Sequence, residues 1–221
     1  MSEEHFDILD STGALTGVTA ARSRVHAEGL FHRAVHVWLF CPSTNELLVQ
    51  ERALCKDSWP GRWDVSSAGH VSAGGNAIDA AVRELEEELG VAVPPDRFKY
   101  LYTHLEKLSS VQRGKPFINN EFNEVFVIQI TAQERKLLDP TNAVLRDLPQ
   151  DFSPSGLRGI TSLNGFKLQK SEVSAVQWIS LIDAETWWRD GDDRVVPCTN
   201  WPSYGRIFKC LRGEEIVENA F

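Results

Sequence analysis

The stretch from Gly69 to Val91, GHVSAGGNAIDAAVRELEEELGV, constrains this chain more than any other. It places Glu84, Glu87 and Glu88 at i, i+3 and i+4 of a predicted helix over Ala77–Leu89. Side chains at those spacings share one helical face. Three carboxylates crowded there repel one another and ask for a compensating cation. Oxygen-only ligands suit Mg²⁺ or Mn²⁺, and those ions suit phosphate substrates. Asn76 can cap the helix, with Asp79 completing a box-like pair, and Gly90 suits the left-handed position beyond its end. At about 100° per residue, Ile78, Val82, Leu85 and Leu89 fall in a separate apolar stripe. One face then anchors the helix while another presents carboxylates, with Glu86 turned to solvent. A charge run ordinarily means only a solvated face. The glycine-rich approach and Arg83, able to hold a glutamate by a two-pronged bond, shift the reading toward a site.

Around this helix the pattern alternates strands and helices. His5–Leu9 and Ala14–Val18 flank Ser-Thr-Gly as a small hairpin. His32–Phe40, Leu47–Glu51, Trp63–Ser66, Gly69–Val71, Phe98–Leu105, Glu121–Ile130 and Val173–Ile179 read as strands. Further helices are expected at Leu181–Arg189 and Ser203–Leu211. Pro140–Gly165 is polar and poorly periodic, and reads as an insertion with too few apolar residues for its own core. The expectation is one domain over residues 1–221, of α/β or α+β class, with a mixed sheet and helices packed outside it.

Composition narrows the function. A formal net charge of −8 disfavours general nucleic-acid binding, which needs a basic footprint. The four cysteines form no CxxC pair, which argues against a zinc site and for reduced thiols. MSEEHFDILD lacks the features of a secretory or transit signal, and no apolar run is long enough to span a bilayer. The expected setting is the cytosol and the expected partner a small molecule, with neither nucleic acid nor membrane.

With its flanks, the opening stretch resembles the Nudix hydrolase motif: glycine, five residues, Glu, seven residues, then Arg-Glu-apolar-x-Glu-Glu-x-Gly-apolar. The match falls on Gly69, Arg83, Glu84, Leu85, Glu87, Glu88, Gly90 and Val91, and departs at the first glutamate, where Gly75 stands. The resemblance implies the Nudix fold, with the motif as loop–helix–loop, and hydrolysis of a diphosphate linked to some moiety X. HRAVHVWLF, ERALCKDSWPGRWDVSSAGH and FINNEFNEVF are further similar to isopentenyl-diphosphate isomerases and to plant isoprenoid-diphosphate phosphatases. Carried over residue by residue, the isomerases' diphosphate-binding arginine and lysine fall on Arg52 and Lys56. Their metal-site histidines fall on His26 (one residue out of register), His32 and His70. Their loop glutamates fall on Glu121 and on Asn119, and their catalytic cysteine on Ala68.

The expectation is a hydrolase in which Glu84, Glu87 and Glu88 bind Mg²⁺ or Mn²⁺, while Arg52, Lys56 and Arg83 bind substrate. Hydrolysis also needs a positioned water and a base. Glu84 or Glu121 is the expected base, with Glu124 next. Gly75 removes one possible ligand. Trp38, Trp59 and Trp63 read as core or loop anchors that can also wall an apolar pocket for an isoprenoid tail or stack on a base. An isomerase is the alternative, disfavoured because Ala68 removes an acid–base thiol. A non-catalytic diphosphate-binding module is the third reading.

Overall fold

The computed structural model describes residues 3–112, 114–139, 144–145 and 165–214. Most of the expected insertion at 140–165 lies outside them. The strands are β1 (His5–Leu9), β2 (Leu15–Ala21), β3 (Phe31–Cys41), β4 (Glu46–Arg52), β5 (Trp63–Asp64), β6 (Ser67–His70), β7 (Lys99–Gln112), β8 (Lys115–Gln129) and β9 (Val173–Ser180). The helices are α1 (Arg22–Glu28), α2 (Ala77–Leu89), α3 (Ala132–Leu138), α4 (Leu181–Arg189), α5 (Trp201–Tyr204) and α6 (Arg206–Leu211).

β3 is the hub of one mixed sheet. It pairs antiparallel with β1, β4 and β6, and parallel with β8 along ten residue pairs. β8 continues antiparallel to β7, and β4 carries β5 and β9 as a second wing. β3 reads HRAVHVWLF because both of its faces are covered. Val35, Val37 and Leu39 meet α2 on one side. Trp38 and Phe40 meet Trp188, Ile207 and Phe208 of α4 and α6 on the other. The expected arrangement, a mixed sheet between helices, is the one observed. Among the described residues no helix is long and apolar enough to cross a membrane.

α2 forms where its pattern places it. The Asn76 side chain accepts from the Asp79 backbone N–H, and Gly90 closes the helix at φ 69°. Its buried face differs from the expected stripe. Leu85 and Leu89 are fully buried, but Ala77, Ala80 and Ala81 join them, while Ile78 and Val82 sit at the margin. The small alanines let the helix lie close against the sheet, so the stripe rotates toward them.

Two elements, α1 and α3, escape the periodicity. α1 has only Val25 as a core apolar residue and is held by tertiary packing and the Gly29 cap. α3 announces itself through a Thr131–Glu134 capping box rather than through hydrophobicity. β7 and β8 run as one hairpin well past the expected Leu105 and Glu121 limits, in register to Gln112 and Lys115. The expected helix Ser203–Leu211 is two short helices, because Gly205 sits hard against Trp201.

Candidate active site

A cleft of about 1420 Å³ opens between β6, the α2 carboxylates, the β4–β5 loop and the β7–β8 hairpin. Glu84, Glu87, Glu88, Arg52, Lys56, Arg83 and Glu121 all line it. Residues far apart in sequence thus converge on one space.

The three α2 carboxylates are unlike one another. Glu87 is exposed. Glu88 is buried, and its Oε2 accepts from the Ser67 hydroxyl (2.7 Å), the Ala68 backbone N–H (3.2 Å) and the Gln50 amide (3.3 Å). Burial pushes its pKa up to about 8, and the nearby Glu84 adds to the rise. Glu84 is pushed up to about 7, again chiefly by burial and against the pull of Arg83. Glu84 reaches the cleft because position 69 has no side chain. A Cβ there would stand 2.0 Å from the Glu84 carboxyl carbon. Arg83 bonds Glu84 (2.8 Å), Glu87 (3.3 Å) and the His70 carbonyl (3.1 Å). Its donors are directed at the protein's own acceptors, so its position is that of a carboxylate holder rather than of a substrate ligand.

Arg52 and Lys56 are also partnered. Arg52 bonds Asp64 (3.0 Å), the Ser58 carbonyl (3.0 Å) and the Ser58 hydroxyl (2.9 Å), which pins the loop that follows β4. Lys56 is ion-paired with Glu172. The same loop holds Trp59 at φ 51°, a conformation that costs a non-glycine residue on the order of 1–3 kcal/mol. Arg62 stacks over the Trp59 ring at 5.2 Å. Trp38 and Trp63 belong to the core instead.

A second group lies beside the first. His26, His32 and His70 bring ring nitrogens within 4.8 Å of one another. Glu121 approaches His70 Nε2 at 3.1 Å and His32 Nε2 at 3.4 Å. His32 Nδ1 meets the Leu30 carbonyl at 3.0 Å, which leaves Nε2 free to act as a ligand. Both nitrogens of His26 are buried without a hydrogen-bond partner, and burial pulls its pKa down to about 4. Clustered imidazoles with orphaned nitrogens and a carboxylate fit a divalent cation. Glu84, Glu87 and Glu88 line the same cleft, but among the described residues only the three histidines form a group this close.

Two expectations need correction. Glu124 alternates to the other face of β8 and lies outside the cleft lining. Gly75 is also outside that lining, and a Cβ on it would meet the Ser72 carbonyl oxygen at 2.9 Å. It serves a tight turn, its N–H donating to the Ser72 carbonyl at 2.9 Å. The sequence reading missed Glu106, whose carboxylate lines the cleft and accepts from the Thr199 N–H at 3.2 Å. Leu105-Glu106-Lys107-Leu108 does not alternate, so the local pattern carries no signal for it.

A model of the NUDIX domain matches residues 30–197, a span that contains the α2 carboxylates and most of the cleft lining, though not His26. The chain belongs to the Nudix family. It is 41% identical over 212 residues to Nudix hydrolase 3 of Arabidopsis thaliana, covering 96% of this chain and 24% of that protein. The chain therefore spans about a quarter of this relative's length. It is 34% identical over 132 residues to an isopentenyl-diphosphate Delta-isomerase of Shigella flexneri, covering 60% of this chain and 70% of that one. Among solved structures, that of DR0079 from Deinococcus radiodurans superposes with a TM-score of 0.54 at 16% identity, over 95% of this chain and 98% of that one. That likeness concerns the fold alone.

Proposed function

We propose that this Nudix chain is a divalent-metal-dependent hydrolase that cleaves a small-molecule diphosphate. The observation that carries the reading is the convergence of Glu84, Glu87 and Glu88 with Arg52 and Lys56 on one cleft. Glu84, Glu87 and Glu88 would hold Mg²⁺ or Mn²⁺, which supplies charge neutralisation of the diphosphate and acidifies water. Arg83 fixes the directions of Glu84 and Glu87. Lys56 binds the distal phosphate by exchanging Glu172 for it, and Arg52 holds the loop that presents Lys56.

Proton transfer falls to Glu84 rather than to Glu121. Without a cation, burial brings Glu84 to about 7, and a bound cation would draw it down toward the charged form that a base needs. Burial raises Glu121 too, but bonds to His32 and His70 outweigh it and hold the carboxyl well below its ordinary range. Glu121 then serves the histidine group, as a cation ligand.

The likeness to isopentenyl-diphosphate isomerases makes isopentenyl and dimethylallyl diphosphates the reference substrates. The test is a screen with Mg²⁺ and Mn²⁺ over prenyl diphosphates, nucleoside diphosphates and nucleotide sugars. Release of phosphate or a monophosphate, abolished by Glu88→Gln, is the expected result. The histidine group also favours a second reading, isomerisation. Ala68 opposes it by offering no proton donor beside Gly69. Interconversion of isopentenyl and dimethylallyl diphosphates, followed by NMR, would establish that reading instead.

A further inference from the structure

Three rows of side chains cross the sheet face beside the cleft. Strand registers join His32, Glu121 and Glu106 in one row. The next joins His70, Ala34, Asn123 and His104, and a third joins Ala68, His36, Val125 and Tyr102. The polarity falls from ionic, through neutral and polar, to largely apolar.

The neutral groups are buried with hydrogen-bonding atoms left over. Asn123 is 0% exposed, and neither its amide nitrogen nor its oxygen finds a hydrogen bond. His104 is also buried, with no hydrogen bond to either ring nitrogen and Nε2 4.0 Å from the Glu106 carboxylate. His36 leaves Nδ1 unpartnered, and its ring centre lies 5.8 Å from that of His104. Asn123 and His36 line the cleft. Burial holds both imidazoles neutral, His104 down at about 3 and His36 in the same direction. A neutral imidazole and a carboxamide each offer both a donor and an acceptor. Folded proteins seldom leave such groups unsatisfied, and a cluster of them calls for a ligand.

We propose that Asn123 and His36, backed by His104 behind the cleft lining, form a subsite for an uncharged, hydroxyl-bearing moiety X of the substrate. This rests on the reading that the cleft takes a diphosphate, and adds that X is polar. A plain prenyl tail leaves every one of these groups unpaired, whereas the hydroxyls of a ribose or of a hydroxyalkyl chain pair with them. Ala34 and Ala68, the small neighbours in these rows, leave room for such a group.

The test is calorimetry on the full chain with Mg²⁺ and uncleavable methylene-bridged analogues of three diphosphates: ribonucleoside, hydroxyalkyl and dimethylallyl. At least one hydroxyl-bearing analogue is expected to bind about tenfold or more tighter than the dimethylallyl one. The ribonucleoside and hydroxyalkyl arms identify which source of hydroxyl the subsite takes. Asn123→Leu is expected to lower that affinity about tenfold while leaving the dimethylallyl affinity equal or improved. In case Asn123→Leu fails to fold, His104→Phe gives a second readout. Replacing two nitrogens that lack hydrogen bonds with carbon should raise Tm and weaken the hydroxyl-bearing analogue, whereas a structural role would move Tm alone. Equal or tighter binding of the dimethylallyl analogue, equal weakening of all three by Asn123→Leu, or no binding of any analogue would overturn the subsite. Turnover is measured separately. A preserved binding preference without cleavage of any diphosphate would sink the hydrolase reading and leave the subsite standing.

Discussion

Glu84 approaches the backbone at position 69 so closely that only glycine fits there. Gly69→Ala is expected to push the carboxylate out of place. A displacement near 1 Å costs on the order of a hundredfold in rate, so kcat should fall by about that factor while the chain still folds. Steady-state kinetics beside a thermal melt separates the two effects. Gly75 shows the opposite logic. It stands where the motif has a glutamate, yet its surroundings are a turn outside the cleft. Gly75→Glu should lower Tm by a few degrees and leave kcat within about twofold. A several-fold rise in kcat would show that position 75 does contribute a ligand. At this scale the glutamates of the site were legible because they lie within five residues of one another. Glu106 and Asn123 were not, since their roles depend on which strand lies beside them.

α2 was legible as an element because its signals are local. Its cap, its termination and its carboxylate face all follow from a 3.6-residue repeat. Asn76→Ala removes the side chain that accepts from Asp79 and should cost about 1 kcal/mol. For a chain of this size that is a Tm loss of roughly 2–4 °C, visible by calorimetry, with kcat nearly unchanged. α1 was illegible for the converse reason. RSRVHAE carries one buried apolar residue, and its helicity comes from packing against β1, β2 and β8. His26 rides on α1, so its place beside His32 and His70 came only through resemblance, one residue out of register.

At the scale of the whole molecule, buried histidines weaken the fold toward acid. His104 has a folded pKa of about 3, below its ordinary 6.5. The folded state thus binds fewer protons than the unfolded one across that range. Its contribution is complete above pH 6.5 and is lost as pH falls toward 3, with His36 acting in the same direction. Glu84 and Glu88, raised by burial, act in the opposite direction over the same range, so the histidine contribution is read as the difference between the chain and His104→Phe. Melting curves of the two should diverge by on the order of 2 kcal/mol between pH 6.5 and 5, at about 1.4 kcal/mol per pH unit. A cation adds the second global effect. Mg²⁺ at 100 times its Kd should stabilise the fold by about 2.7 kcal/mol, and Glu88→Gln should remove most of that shift in a thermal melt.

The sequence by itself determined the α2 helix, its carboxylates, the buried hub strand and the mixed sheet between helices. Each rests on a short-range period or on a motif whose spacing survives in one dimension. Only the tertiary structure decided that Arg83 and Arg52 hold protein groups, that Glu124 faces away, and that Gly75 serves a turn. It alone brought Asn123 beside His104 and close to His36. Those outcomes depend on strand register and on which face of the sheet is covered, and both are set by contacts between residues far apart in the chain.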